Sequence, residues 1–209
     1  MPLFNLFQGR ADTNRKKKHA KNSYLKQSFK KSLGNGVNLK DAVKCPPGED
    51  RDEWIVMNTM EVYNNTTLCW QFVSEVCNEK TCPTMSAGST FSYLWKDKGK
   101  YPKPTNVPAA EYVELLTLWV SEKLDDETIF PTSGKFPREF MPTVENIWKR
   151  LVRIYFHIYY HHWNTVSAVK AEAHINTCFK HLYYFSKEFH LVKDDDMAPI
   201  GDVQRKIDS

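Results

Sequence analysis

Two cysteines and a distant histidine cluster constrain this chain more than any other feature of it. Four residues separate Cys77 from Cys82, and Pro83 follows directly. Far along the chain stands His157-Ile158-Tyr159-Tyr160-His161-His162. Two thiolates and two imidazoles complete the tetrahedral shell that structural zinc takes. Such a site fastens two remote stretches to one another, so the fold must bring them together. In zinc-finger peptides the ion binds with roughly 10–16 kcal/mol, against a typical domain stability of about 5–15 kcal/mol. Geometry alone leaves the second histidine open. His157 and His161 lie at i,i+4 on one helix face, whereas His157 and His162 are about 140° apart on a regular helix. The wider pair needs a helix end or a distortion. Two free thiols and a stray histidine cluster in an aromatic-rich core are the competing explanation.

The remaining cysteines are Cys45, Cys69 and Cys178. An odd count, with no secretory pattern at Met1-Pro2-Leu3-Phe4, argues against a disulfide scaffold. Pro2 excludes the glycine that N-myristoylation needs. No apolar run approaches the ~18 residues of a membrane span. These features lead us to expect an intracellular, cytoplasmic protein, with the nucleus as a second compartment. The overlapping sequons of Asn64-Asn65-Thr66-Thr67 are then only polar residues.

Charge is unevenly spread. Residues 10–31 hold nine Lys/Arg against the single acid Asp12. Of 29 basic and 25 acidic residues in all, 20 and 24 remain, so a basic arm precedes a mildly acidic body. The arm has the composition of a solvated tail, and residues 1–20 are expected to be flexible. Nucleic acid is a rival partner for it, with steeply salt-dependent binding.

The residue pattern predicts mostly helices. Leu25 and Phe29 suggest one over Asn22–Leu33, closed by Gly34. Cys45-Pro46-Pro47-Gly48 is a rigid connector. Asp50 is the expected N-cap of a helix reaching about Val76, with Asp52 and Glu53 in its first turn. Its apolar side is assigned to Trp54, Met57, Met60 and Tyr63, and Asn64–Thr67 threatens to split it. A β-hairpin is expected where Phe91, Tyr93 and Trp95 alternate with Ser92 and Leu94, turning at Lys96–Gly99. Ala109–Leu124 carries the stripe Tyr112, Leu115, Leu116, Trp119 and Val120. After a proline-punctuated loop, Pro142 or Thr143 opens a helix with the stripe Ile147, Leu151, Ile154 and Ile158. A last helix is expected from about Val166 to Phe189. The fold class is therefore all-α, a single-domain helical bundle with a small β-hairpin and a structural zinc site.

Two charge clusters stand out. Lys149, Arg150 and Arg153 fall at i, i+1 and i+4 of one predicted helix, away from Leu151 and Ile154, and so should face solvent. Two arginines and a lysine match a phosphate. An ordinary solvated helix face is the stronger explanation on these residues alone. Glu49, Asp50, Asp52, Glu53 and Glu61 make an acidic strip. Compensation of the helix dipole ranks first for it, and docking of a basic helix second.

Taken together, several strings resemble the Mob (Mps-one-binder) kinase coactivators. They are Pro46-Pro47-Gly48-Glu49-Asp50 with Glu53-Trp54, Cys77-x4-Cys82-Pro83 with Met85-Ser86-Ala87-Gly88, Leu124-Asp125-Asp126-Glu127 with Phe130-Pro131, Lys149-Arg150-Leu151-Val152-Arg153, and Glu172-Ala173-His174-Ile175-Asn176-Thr177. They occur in the family's order, from about residue 20 onward. The resemblance implies a helical bundle with structural zinc on Cys77, Cys82, His157 and His162. It implies a phosphothreonine pocket at Lys149, Arg150 and Arg153. It implies kinase-docking acids at Glu49, Glu53 and Glu61, whose partner is the basic N-terminal regulatory region of NDR/LATS-type kinases in Hippo-type and cell-cycle signalling. An upstream kinase or scaffold would supply the phosphothreonine peptide. Phosphorylation before a Leu-Gly pair maps to Ser32, a serine where the family usually has threonine. His161-His162-Trp163 and Asn176–His181 with Tyr183-Tyr184-Phe185 resemble a sister type, so a scaffold with other kinase partners is the alternative.

Catalysis is not expected. Four nitrogen and sulfur ligands close a zinc shell that a hydrolase would leave open for water. No H-E-x-x-H and no glycine-rich phosphate loop occurs.

Overall fold

The structure, a computed structural model, describes residues 38–201. The basic arm, the predicted helix Asn22–Leu33 and Ser32 lie outside the described residues.

A short helix α1 (Leu39–Ala42) starts at Asn38, whose side chain accepts from the Lys40 amide. The connector turns back at Gly48, whose φ of +92° lies in the left-handed region that glycine tolerates. Helix α2 (Arg51–Ser74) begins as expected. The Asp50 carboxylate accepts from the amides of Asp52 (2.9 Å) and Glu53 (3.0 Å), satisfying two donors that have no intrahelical partner. Trp54 Nε1 donates to the Val43 carbonyl and ties α1 to α2.

The interior of α2 corrects the sequence reading twice. The helix is continuous through Asn64–Thr67. Thr66 and Thr67 return their hydroxyl protons to the carbonyls one turn back, at Val62 and Tyr63, so neither competes with the ladder. Its buried face is Ile55, Asn58, Thr59, Val62, Thr66, Cys69 and Val73, while Met57 and Met60 stay 62% and 49% exposed. Polar side chains are acceptable there because they are bonded. Thr59 Oγ1 donates to the Ile55 carbonyl and receives the Trp148 indole N–H at 2.9 Å.

Strands β1 (Ser86–Ala87) and β2 (Phe91–Ser92) pair antiparallel, Ser86 opposite Ser92 and Ala87 opposite Phe91. The hairpin therefore turns at Gly88, one loop earlier than expected. The Lys96–Gly99 turn does form, on Asp97 Oδ1 accepting from the Gly99 and Tyr101 amides, but pairing across it is limited to the Asp97 amide on the Tyr101 carbonyl and the bridge between Trp95 and Thr105. Proline at 102 and 104 removes the donors a longer ladder requires.

Helix α3 (Ala109–Leu124) matches its predicted bounds. Helix α4 (Phe140–His157) starts ahead of Pro142, which a first turn accommodates because that amide needs no intrahelical partner. It is the centre of the bundle and packs against α2 and α3. Phe140, Val144, Ile147, Trp148, Leu151, Val152, Ile154, Tyr155 and Phe156 are all 1% exposed or less.

The predicted final helix is two. After a π-helical turn at Ile158–His162, helix α5 (Trp163–Ala168) ends at Lys170, with φ +57°, before α6 (Glu172–Phe189). The Ala171 amide reaches back to the Val166 carbonyl and closes the turn. Helix α6 ends the same way, with His190 left-handed and the Leu191 amide on the Ser186 carbonyl. Neither stop uses glycine, so composition gave no warning of the first. Trp148 stacks on Phe185 at 5.0 Å and joins α4 to α6. A 3₁₀ segment, Asp194–Ile200, buries Met197, Pro199 and Ile200. Among the described residues no helix is long and apolar enough to cross a membrane.

Candidate metal centre and charged surfaces

Helix α2 ends three residues before Cys77, and Cys82 follows a turn held by Asn78 and Thr81. Helix α4 ends on His157, and the π-helical turn carries His162. That turn supplies the distortion the wider histidine pair requires, since i→i+5 geometry stacks residues five apart. Cys77, Cys82, His157 and His162 each present one ligand atom, all within 4.8 Å of one another and all buried. Cys77 Sγ lies 3.5 Å from His157 Nε2, and Cys82 Sγ 3.4 Å from His162 Nε2. Zinc–sulfur bonds near 2.3 Å and zinc–nitrogen bonds near 2.0–2.1 Å give a tetrahedral edge of about 3.5 Å. The donor set therefore fits zinc in kind, and these two cysteine–histidine pairs fit it in spacing.

The surroundings prepare the ligands. The Ser86 carbonyl accepts from His157 Nδ1 at 2.8 Å, which places the proton there and leaves the Nε2 lone pair facing Cys77. Burial pushes the His157 pKa down to about 3 and that of His162 down to about 4, so both rings stay neutral near pH 7. Burial, with the neighbouring Cys82, raises the Cys77 thiol. A divalent cation reverses that penalty by pairing with the thiolate.

His161 has a different task. It is exposed, stacks on His157 at 4.6 Å, and its Nε2 faces Ser86 Oγ (3.0 Å) and the Gly88 amide (3.3 Å). It clips the hairpin to the π turn. Gly88 is needed at that contact, because a Cβ there would stand 2.9 Å from the Tyr160 ring on a backbone with φ +69°.

The basic cluster does not simply face solvent, which corrects the sequence reading. The Arg150 guanidinium lies between two indoles, 4.7 Å from the Trp95 ring centre and 4.9 Å from that of Trp119, and its Nε donates to Asn146. Arg153 lies 4.9 Å over Tyr93 and donates to the Tyr112 hydroxyl at 2.8 Å. Burial lowers the Arg150 pKa, and Arg153 lowers it further; the guanidinium nonetheless remains charged at any ordinary pH. No carboxylate among the described residues stands within ion-pair distance of either arginine. Lys149 is half-buried beside them. The sequence reading missed the aromatic bed, since Tyr93 and Trp95 come from the hairpin region and Tyr112 and Trp119 from α3, two segments that only folding brings to α4.

Glu49, Glu53 and Glu61 are exposed at and beyond the start of α2. Glu61 is 3.9 Å from His181 of α6. At 100° per residue, Met57, Met60 and Leu68 share the face of Glu53 and Glu61, and all three are exposed. The acidic strip is therefore interleaved with apolar side chains. The 4-3-4-3-4 spacing of Ile55, Thr59, Val62, Thr66, Cys69 and Val73 marks the buried face opposite, and would have shown this had the threonines been counted as core.

Comparison with known proteins agrees with this arrangement. The Mob1/phocein family pattern matches residues 30–200. A Dictyostelium discoideum protein named MOB kinase activator-like 1 homolog C is 42% identical over 213 residues, covering 99% of this chain and 98% of that protein. MOB kinase activator-like 1A of Arabidopsis thaliana is 41% identical over 213 residues, 99% and 98% of the two chains. Human MOB kinase activator 3A is 37% identical over 185 residues, 88% and 85% of the two.

Proposed function

This chain belongs to the Mob1/phocein family, and from that premise we propose that it is a zinc-containing, non-catalytic adaptor that binds and activates an NDR/LATS-type protein kinase in the cytoplasm or nucleus. Zinc on Cys77, Cys82, His157 and His162 clamps the end of α2 to the end of α4. Four protein ligands leave no open position, so the ion holds structure and performs no chemistry. The acidic and apolar strip of Glu49, Glu53 and Glu61 with Met57 and Met60 receives a basic amphipathic segment of the kinase. Lys149, Arg150 and Arg153 receive phosphothreonine from an upstream kinase or scaffold. Binding that is tighter to the active arrangement of the kinase shifts its population toward that arrangement.

The observation that carries the phosphopeptide reading is the pair of guanidiniums held on aromatic rings with no carboxylate of the described residues in ion-pair distance. Positions that pack so well normally carry no charge, and a charge held there is ready for an anion. Titration of a phosphothreonine peptide tests it. Arg153→Ala removes at least one charge-assisted hydrogen bond, each worth about 1.5–3 kcal/mol, so affinity should fall tenfold or more, while an unphosphorylated kinase segment binds as before. Identical phosphopeptide curves for the two proteins would reject the assignment.

A further inference from the structure

A cavity of about 520 Å³ opens beside the guanidinium cluster, between the last turns of α3 and the start of α4. Two side chains belong to both. Trp119 lines the cavity, and its ring centre is 4.9 Å from the Arg150 guanidinium carbon. Asn146 lines it too, and its side-chain oxygen accepts from Arg150 Nε at 3.1 Å. Ile129, Pro142 and Thr143 supply the rest of the uncharged wall. We propose that this cavity is a specificity subsite, which takes a large apolar side chain, leucine or an aromatic, from a residue close to the phosphothreonine in the bound peptide. The proposal rests on the phosphothreonine reading of Lys149, Arg150 and Arg153 and adds to it a second requirement on the ligand.

Folding fixes the walls. After α3 the Asp126 carbonyl accepts from the Ile129 and Phe130 amides, at 2.9 and 2.8 Å, and closes a turn. Phe130 is buried edge-on against Phe140 at 5.5 Å, and Phe136 packs on the same ring at 4.3 Å. The segment that joins α3 to α4 is thus anchored on the core at both ends of the cavity. A pocket already formed costs little ordering when a ligand enters it.

The chemistry of the occupant follows from the balance of charge. Lys123 has the Asp126 carboxylate 3.9 Å away, and the exposed Arg138 and Glu139 add one charge of each sign. Their fields largely cancel, which disfavours a second phosphate or a carboxylate. An indole, an isoleucine and a proline remain, and these gain by covering apolar surface. Chain geometry limits the position. An extended peptide advances about 3.3–3.6 Å per residue, so a phosphate on Arg150 leaves the cavity within reach of a side chain roughly one to three residues away.

The test titrates the full-length protein with phosphothreonine peptides in which leucine or phenylalanine replaces alanine, one position at a time, on either side of the phosphothreonine. At one position the apolar residue should bind about tenfold or more tighter than alanine. That ratio should fall toward one in Ile129→Ala, which removes apolar wall, and in Thr143→Phe, which fills the cavity. The two substitutions change volume in opposite directions, and Tm measured beside each exposes a folding defect. A ratio near one at every position in the unsubstituted protein, a preference for aspartate or glutamate there, or an apolar preference that survives both substitutions would overturn the subsite. Peptides that bind equally well without the phosphate would reject the phosphothreonine reading itself. Peptides that need the phosphate but show no apolar preference would remove the subsite alone.

Discussion

Helices α2 and α4 each present a charged surface, and the two are built differently. On α4 the charges are few and fixed. Arg150 and Arg153 lie on three aromatic rings, tethered by Asn146 and Tyr112. On α2 the acids stand out from an exposed face, and Glu61 has only a long contact with His181. A fixed, partly dehydrated charge gives a strong and directional interaction with one anion. A row of solvated carboxylates gives a field, whose separate contributions are small and screened by salt. Under the proposed function, α4 would therefore recognise its ligand by geometry and α2 would steer its partner electrostatically.

The most disruptive way to break that contrast is to remove what both surfaces depend on. Chelation of the proposed zinc, or Cys82→Ser, should free the end of α2 from the end of α4. Structural zinc supplies a large share of stability, so Tm should fall by more than about 10 °C, and both peptide activities should go together. Metal content measured beside calorimetry checks this. A folded, metal-free protein of unchanged Tm would contradict it.

Acid should act on the same point more gradually. His157 and His162 titrate near 3 and 4 when folded, below the usual histidine value of 6.5. The unfolded chain therefore binds protons first. The contribution of these rings is full above pH 6.5 and is lost as pH falls through 6.5 toward 3. Denaturant midpoints from pH 8 to pH 4 should decline, with metal release in the same range. A flat profile would count against buried neutral imidazoles.

Arg150→Ala sharpens the difference between fixed and solvated charge. It deletes two cation–π contacts, each about 0.5–2 kcal/mol, so it should lower stability as well as phosphopeptide binding, with Tm down by about 3–8 °C. A variant that bound weakly but melted normally would show that the indoles do not hold the side chain.

The smallest structural effect is expected at Glu53→Lys. Tm should move by about 1 °C or less, while affinity for a basic kinase segment drops several-fold. That drop should shrink as salt rises, since the Debye length is about 10 Å at 0.1 M. A loss independent of ionic strength would place Glu53 in a dry contact instead of a steering field.

Much of this was legible without coordinates. Asp50 caps the helix it was assigned, because capping is a local interaction between a carboxylate and amides two and three residues away. Ala109–Leu124 and the stripe on Ile147, Leu151, Ile154 and Ile158 follow from the 3.6-residue period and lie where expected. The resemblance selected His162 over His161, and the four-residue cluster in the structure contains His162.

What failed shares one physical cause. Met57 and Met60 were placed inside by hydropathy, yet α2 buries Thr59 and Thr66, because Trp148 and Tyr155 arrive from α4 to meet their hydroxyls. The stop at Lys170 needs no glycine, because the Ala171 amide finds the Val166 carbonyl and both of those residues are buried. The arginines looked solvated because their aromatic bed comes from the hairpin region and α3.

The amino-acid order by itself determined most of the helices, the Asp50 cap, the two halves of a metal donor set and the two clusters of opposite charge, each of which depends on neighbours within a turn or two. Tertiary structure alone decided which face of α2 is dry, that a π turn brings His162 beside His157, and that Arg150 and Arg153 are fixed on rings while Glu53 stays in water. Burial and long-range hydrogen bonding set these outcomes, and both depend on partners that the chain brings together only when it folds.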